Sequence, residues 1–159
     1  MEQNSKEYMV YKNIDFANRF EDISKNHQYF EDRLINYSKE EVINLISELG
    51  YKSKYIKSDI FFKTQDKILN IRFYFHICVR RGIVELIIGA VNTDNDEFIT
   101  GGVFGNLYDD IKDAEEIVLD TRVRNPLFRD YEDLRNILKE AFSIYEDFKR
   151  EVVKEYGVN

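Results

Sequence analysis

The chain is poor in the residues that form crosslinks and metal sites. Its 159 residues include one cysteine, one proline, two histidines and no tryptophan. The single cysteine, Cys78, cannot form an internal disulfide and fits a reducing compartment, so we expect a cytoplasmic protein. The two histidines, His27 and His76, lie far apart and give no zinc-ligand spacing. We therefore predict neither a metal nor a cofactor.

Long apolar runs are also scarce, and basic residues are fewer than acidic ones. The apolar runs are of strand length, far short of the ~20 residues that span a bilayer. The first residues show no basic region followed by an apolar core, so we expect no signal peptide and no membrane association. There are 23 Lys and Arg against 30 Asp and Glu, a net charge of −7. This balance disfavours nucleic-acid binding and favours a basic partner.

Strict alternation of apolar and polar residues marks the centre of the chain. It runs from residue 71 to residue 80 and has the period of a β-strand. Arg81-Gly82 then predicts a tight turn that places Arg80 opposite Ile83 and Phe75 opposite Ile88. In this register the apolar residues of both strands share one face, which is how register is normally specified.

Helical spacing flanks this hairpin on both sides. Apolar residues three and four apart predict an amphipathic helix over residues 16–37, which Asn26 could interrupt. A capping box at Ser38 starts a second, shorter helix that ends at Gly50. A long C-terminal helix is predicted after an N-cap at Asp130.

Further strands are predicted over residues 51–64, 97–108 and 117–123, with reversals near residues 66–67 and 93–96. Consecutive strands joined by short turns form an antiparallel meander. The chain has no linker, repeat or low-complexity segment, so we expect one domain over residues 1–159. The predicted fold is α+β, with two N-terminal helices, a four- to five-stranded antiparallel sheet and a long C-terminal helix packed on the sheet.

The polar side of the strand over residues 71–80 is one candidate site. Arginine and tyrosine are favoured at recognition surfaces. If the chain reverses at residues 66–67, Asp59 lies one strand away from Arg72 and Tyr74. The face could bind a small anionic ligand or serve an enzyme, and the alternative is an ordinary half-buried surface. Its candidate residues are Asp59, Arg72, Tyr74, His76 and Arg80.

A dense acidic group is the other candidate. It could steer and bind a basic protein, and the alternative is a solvated connector between elements. Its residues are Asp109, Asp110, Asp113, Glu115 and Glu116.

Three weaker motifs favour structural interpretations. His76 and Cys78 share a strand face, but no orienting group or oxyanion site accompanies them. Residues 94–97 resemble part of a calcium loop without its glycine or distal glutamate, which favours a turn. Residues 100–106 are glycine-rich like a phosphate loop but lack its Gly-Lys-Ser/Thr and any clear helix start, which favours a bulged strand.

Taken together, these features favour a small acidic interaction module over an enzyme. In size and acidity the chain is similar to bacterial immunity proteins, although no motif supports assignment to a family. We expect an inhibitor or immunity-type protein that neutralises a basic toxin or enzyme. The alternatives are a chaperone or adaptor for a secreted protein and a binder of small anions. Comparable chaperones usually place a helix between their third and fourth strands, where this chain has only the turn at residues 93–96.

Overall fold

A computed structural model describes residues 1–158, in which five helices accompany one five-stranded sheet. The helices are α1 (Lys6–Asn13), α2 (Phe16–Asn26), α3 (Lys39–Glu48), α4 (Phe104–Ala114) and α5 (Tyr131–Tyr156). The strands are β1 (Lys54–Ile56), β2 (Phe61–Ile68), β3 (Ile71–Arg80), β4 (Ile83–Asn92) and β5 (Phe98–Val103). Every neighbouring pair is antiparallel and the strands lie in chain order. The predicted α+β meander with a long C-terminal helix is confirmed.

The central hairpin has the predicted register. Arg80 pairs with Ile83 and Phe75 pairs with Ile88, as expected from a turn at Arg81-Gly82. Arg81 adopts the left-handed conformation at φ 49° and Gly82 at φ 75°, which suits a two-residue turn. The apolar residues of β3 are at most 2% exposed. Local alternation therefore determined both the pairing and the buried face.

The first long helix is shorter than predicted. It ends at Asn26 as α2, and residues 27–37 are not helical. Their backbone bonds instead to a later segment: the Leu127 amide donates to His27 O at 2.8 Å, and the Leu34 amide donates to Phe128 O at 2.9 Å. The predicted stripe residue Phe30 is 63% exposed. Long-range hydrogen bonds thus replaced the helical ones.

Of the other two N-terminal helices, α3 confirms a prediction and α1 was not predicted. The Ser38 hydroxyl accepts from the Glu41 amide at 3.4 Å and begins α3, and Gly50 follows its end at φ 97°. Helix α1, at the start of the chain, was not predicted, because its hydrophobic pattern is weak. It nevertheless buries Tyr8, Val10 and other side chains in the core.

The strand predicted over residues 51–64 is two strands, and its pairing with β3 differs from the prediction. A turn ending at Ile60, whose φ is 57°, separates β1 from β2. The reversal into β3 comes at Leu69-Asn70 rather than at residues 66–67, so Phe62 pairs with Ile77 instead of Ile71. The polar run before the turn, including Asp66 and Lys67, belongs to the strand.

The region after the central hairpin also departs from prediction. The strand predicted over residues 97–108 stops at Val103, and α4 begins at Phe104. Phe104, Leu107 and Ile111 are the buried stripe of that helix, which the glycines before it had obscured. The strand predicted over residues 117–123 is absent from the described chain. The fifth strand is instead β1.

All five helices in residues 1–158 lie on the apolar side of the sheet. Helix α5 is capped by the Asp130 carboxylate, which accepts from the Asp133 amide at 2.8 Å. Phe75 of β3 contacts α5 through Phe142, 4.9 Å between ring centroids, and Tyr145, 5.2 Å between centroids. Phe104 of α4 stacks on the same ring at 6.1 Å. The helices therefore cover one face and leave the other face of the sheet without a helix. At one end of that second face, loop residues 28, 30 and 122–125 line a cavity together with its side chains Ile83, Glu85 and Val103.

Candidate functional site

The uncovered side of the sheet, which we call the open face, is the main candidate site. Directly opposite residues of antiparallel strands share a face, so the strand register shows which side chains lie there. The strands place five positively charged residues there, Lys54, Lys63, Lys67, Arg72 and Arg80, and one carboxylate, Glu85, while Asp59 and Asp96 lie at the two ends of the face. Although the whole chain has a net charge of −7, this face is basic.

An apolar band crosses the open face on β4 and β5. Ile87 is paired with Val103, and Val91 is paired with Phe98. Phe98 is 59% exposed, while Ile87 and Val91 are half-buried. Basic side chains flank this band on β2 and β3. The open face thus combines an apolar strip on its β4–β5 side with basic side chains on β2 and β3, and such mixtures are common in protein interfaces.

Aromatic rings form a group on the same face. His76 stacks on Phe61 with centroids 4.0 Å apart and lies 4.8 Å from the Tyr74 ring. Tyr74 lies flat over Gly89, the residue opposite it on β4, where a Cβ would overlap its ring. Gly89 is itself paired with Gly101. The absence of a side chain at Gly89 is what lets Tyr74 fold onto the sheet.

His76 is held in its neutral form. Burial lowers its pKa to about 4, with Lys63 contributing in the same direction and Asp59 opposing. Its buried Nε2 atom has no hydrogen-bond partner within residues 1–158. Burial also raises the pKa of the Cys78 thiol, with the Glu85 charge adding to the effect. A protonated thiol is a poor nucleophile, so these features argue against a His76–Cys78 catalytic dyad.

Four residues of the predicted polar-face site share one side of β3, and the fifth lies beside them at the Arg80 end rather than at the Arg72 end. Arg72, Tyr74, His76 and Arg80 share the open face. Asp59 lies near the far end of β3, where it lines a small cleft of about 330 Å³ with Cys78 and Arg80. Its predicted position beside Arg72 and Tyr74 is wrong, because the β2–β3 turn is at Leu69-Asn70. Arg72 is instead 3.8 Å from Asp96.

The acidic group lies on α4 and just after it. Two members have partners: Asp109 is 4.0 Å from Arg122, and Glu115 accepts a hydrogen bond from the Tyr8 hydroxyl at 3.0 Å. The other three, Asp110, Asp113 and Glu116, are exposed. Val118, which follows them, is 92% exposed. Asp109, Asp113 and Glu116 line one cleft, and we call the five residues the acidic surface, which lies on and after a helix that the sequence did not predict.

The weaker motifs have structural roles. Residues 93–97 turn between β4 and β5, where the Asp94 amide donates to Asn92 Oδ1 at 2.8 Å and the Glu97 amide donates to Asn95 Oδ1 at 3.1 Å. Gly101 packs so closely on Ile88 and Gly89 that a Cβ would clash with their backbone. The interpretation of this glycine as a site of close packing is supported, but a helix does begin shortly after it.

Sequence reasoning missed two features of this region. The Tyr74–Gly89 arrangement follows from the predicted hairpin register, which already places the two residues opposite each other. A second feature, a cleft beside β1, depends on the path of residues 51–54 past the sheet edge and on the unpredicted turn after β1. Local periodicity contains no signal for it.

Comparison with protein-family models, with curated proteins and with solved structures found no match for this chain. No helix within residues 1–158 is both long and apolar enough to cross a membrane. The same residues contain no group of three or more His, Cys, Asp or Glu side chains arranged to hold a metal ion. Function is therefore inferred from the geometry of the open face and of the acidic surface.

Proposed function

We propose that the protein is a small protein-interaction module whose open face binds a partner protein with an acidic, partly apolar surface. The observation that carries this proposal is the uncovered sheet face. Five strands about 4.8 Å apart, up to ten residues long, give a face of roughly 20 by 30 Å. That area approaches the ~800 Å² that each partner of a stable complex buries.

The chemistry of the open face supports the proposal. Phe98 and Ile87 can exclude water on the β4–β5 side of the open face, while Arg72 and Arg80 lie toward the two ends of β3. Arg72 makes only a long ion pair, 3.8 Å to Asp96, so its guanidinium is available to a second carboxylate. Arginine and tyrosine beside apolar contacts are the residues that dominate binding energy in interfaces.

An inhibitor or immunity-type protein that neutralises a toxin or enzyme in the cytoplasm is the form of module that we favour. The strands hold the backbone of this face in place before binding, so docking needs no ordering of the backbone. Stoichiometric blocking of a partner needs such a rigid, prepared surface. A chaperone or adaptor would use the same face for an unfolded or extended client.

The acidic surface on α4 is a second candidate, and one observation favours it. Val118 is 92% exposed beside Asp113 and Glu116, which together with Asp109 line a cleft of about 580 Å³. A basic partner with an apolar side chain would complement that surface through charge and contact. This was the docking surface expected from the sequence, with a basic protein as the partner.

Three charge-reversal variants separate the two surfaces. The open-face variant is Arg72→Glu with Arg80→Glu, and the acidic-surface variant is Asp110→Lys with Asp113→Lys. The matched control, Arg135→Glu with Lys139→Glu, makes the same charge change as the first on the helical side of the molecule. Each protein is immobilised and exposed to native lysate, and retained proteins are quantified by mass spectrometry. Circular dichroism checks that every variant folds.

We expect the wild type to retain one protein in near-stoichiometric amount. The acidic-surface variant and the control should retain it equally well, and the open-face variant should lose it. We expect at least a tenfold loss of retention, equivalent to about 1.4 kcal/mol. Retention that survives the open-face variant, or the lack of a stoichiometric partner, would overturn the proposal. Loss on the acidic-surface variant alone would establish the second candidate.

A further inference from the structure

A cleft of about 740 Å³ lies between α3 and the β1–β2 edge of the sheet. Its size is within the range of about 300–1,000 Å³ that is typical of small-molecule sites. Tyr51 forms part of its wall and is held in place by stacking on Phe142, with 4.0 Å between the ring centroids. We call it the lysine cleft, because its lining combines the apolar residues Ile43, Tyr51 and Ile56 with Lys52, Lys54 and Lys63.

Positive charge in the lysine cleft is not balanced by its surroundings. Within residues 1–158, no carboxylate lines the cleft, and none of the ion pairs involves Lys52, Lys54 or Lys63. The carboxylate behind the Tyr51 wall belongs to Glu146. It accepts from the Tyr51 hydroxyl at 2.8 Å and pairs with Lys149 at 2.9 Å, so its charge is already compensated.

The fold keeps these lysines together against their repulsion. Lys54 and Lys63 are directly opposite on β1 and β2, and like charges in that position destabilise a sheet. On its other side Lys63 is opposite His76, and its charge helps to lower the pKa of that imidazole. The register thus places positive charge together at this sheet edge in a chain of net charge −7.

A buried hydroxyl adds a hydrogen-bonding group to the lining. Ser53 lies between Lys52 and Lys54, and its buried Oγ has no hydrogen-bond partner within residues 1–158. We propose that the lysine cleft binds a phosphate group carried on a small apolar body. Lysine ammonium groups are strong point-charge partners for phosphate oxygens, and the Tyr51 and Ile56 walls suit an apolar substituent. This inference does not depend on the proposed protein partner.

Phenyl phosphate is the probe, and amide chemical shifts measured by ¹⁵N NMR give the readout. We expect saturable shifts at residues 51–54 and 63–65. Lys52→Gln should weaken binding at least about tenfold, as the loss of one charge-assisted contact predicts. The matched control is Lys57→Gln, which removes the same charge from the exposed turn between β1 and β2. Ser53→Ala should weaken binding without lowering the melting temperature, because its hydroxyl has no partner to lose.

Other outcomes overturn the inference. Shifts that do not saturate, or that spread over the lysines of the whole surface, would show only nonspecific screening. Equal weakening by Lys57→Gln and Lys52→Gln would show the same. Phenol as a parallel probe should not bind measurably, and equal binding of phenol would reduce the site to an apolar contact. Lys52 and Ser53 lie outside the strands, so these variants leave the open face and its test unchanged.

Discussion

His76 has three neighbours that decide its charge. The Phe61 ring stacks on the imidazole, Lys63 lies opposite it across the strands, and Asp59 acts with the opposite sign to Lys63. Burial is the largest effect and disfavours the charged imidazolium. The centre of the open face is therefore neutral and flat at physiological pH, with positive charge around it.

The low pKa of His76 makes stability depend on pH. The unfolded chain takes up a proton near the ordinary pKa of 6.5, whereas folded His76 does so at about 4. The unfolded state thus binds more protons between these values, and the stability present above pH 6.5 is lost as the pH falls toward 4. Urea unfolding at about pH 7 and about pH 5 should show a smaller loss for His76→Gln than for the wild type.

An NMR titration of the imidazole provides the direct check. The His76 signal, assigned by its disappearance in His76→Gln, should have its midpoint near pH 4. A midpoint near the ordinary value of 6.5 would contradict the buried, lysine-flanked environment.

At the scale of elements, β3 contributes both to the hydrophobic core and to the open face. One side of the strand provides Phe73, Phe75 and Ile77 to the core, all 0% exposed, while the other side provides the centre of the open face. The alternation of residues along β3 buries every second side chain in the core and places the side chains between them on the open face. The rigidity of the open face is therefore a consequence of the core beneath it.

Phe75 tests this connection. It contacts α4 through Phe104 and α5 through Phe142 and Tyr145, so Phe75→Ala should lower the free energy of unfolding by about 3–5 kcal/mol. The control Phe98→Ala removes the same ring from a position that is 59% exposed and should cost less than about 1 kcal/mol. Denaturant unfolding measures both. Similar values for the two variants would mean that the buried and open faces are assigned to the wrong sides.

On the scale of the whole molecule, basic and acidic side chains lie on separate surfaces, whereas the buried apolar side chains form one continuous core. The open face and the lysine cleft are basic, and the outer side of α4 is acidic. The buried apolar residues form one cluster to which all five helices in the described chain contribute. Separate surfaces of opposite charge thus share one stabilising core.

A single core predicts a single cooperative transition. Thermal unfolding followed by far-ultraviolet circular dichroism, which reports helices, and by near-ultraviolet dichroism of the tyrosines should give the same midpoint. Because the core cluster includes residues from both ends of the chain, no part should unfold separately. Two resolved transitions would show that the chain contains two domains.

The sequence by itself determined the features that depend on neighbours along the chain. The β3–β4 register followed from alternation around Arg81-Gly82, and the start of α5 followed from the Asp130 cap. The sequence also predicted that four polar residues share one face of β3: Arg72, Tyr74, His76 and Arg80. It directly shows the excess of acidic residues. In each of these, side-chain period or capping acts within a few residues, so local sequence contains the whole cause.

Tertiary structure decided the features in which a distant segment competes. α2 ends at Asn26 because residues near 127 and 128 take the backbone hydrogen bonds of residues 27–34. The β2–β3 turn moved to Leu69-Asn70, and with it Asp59 moved away from Arg72. Which sheet face the helices cover, and the convergence of Lys52, Lys54 and Lys63, depend on packing between elements. The sequence therefore determines the strands and their apolar sides, whereas long-range packing decides which surfaces remain available for binding.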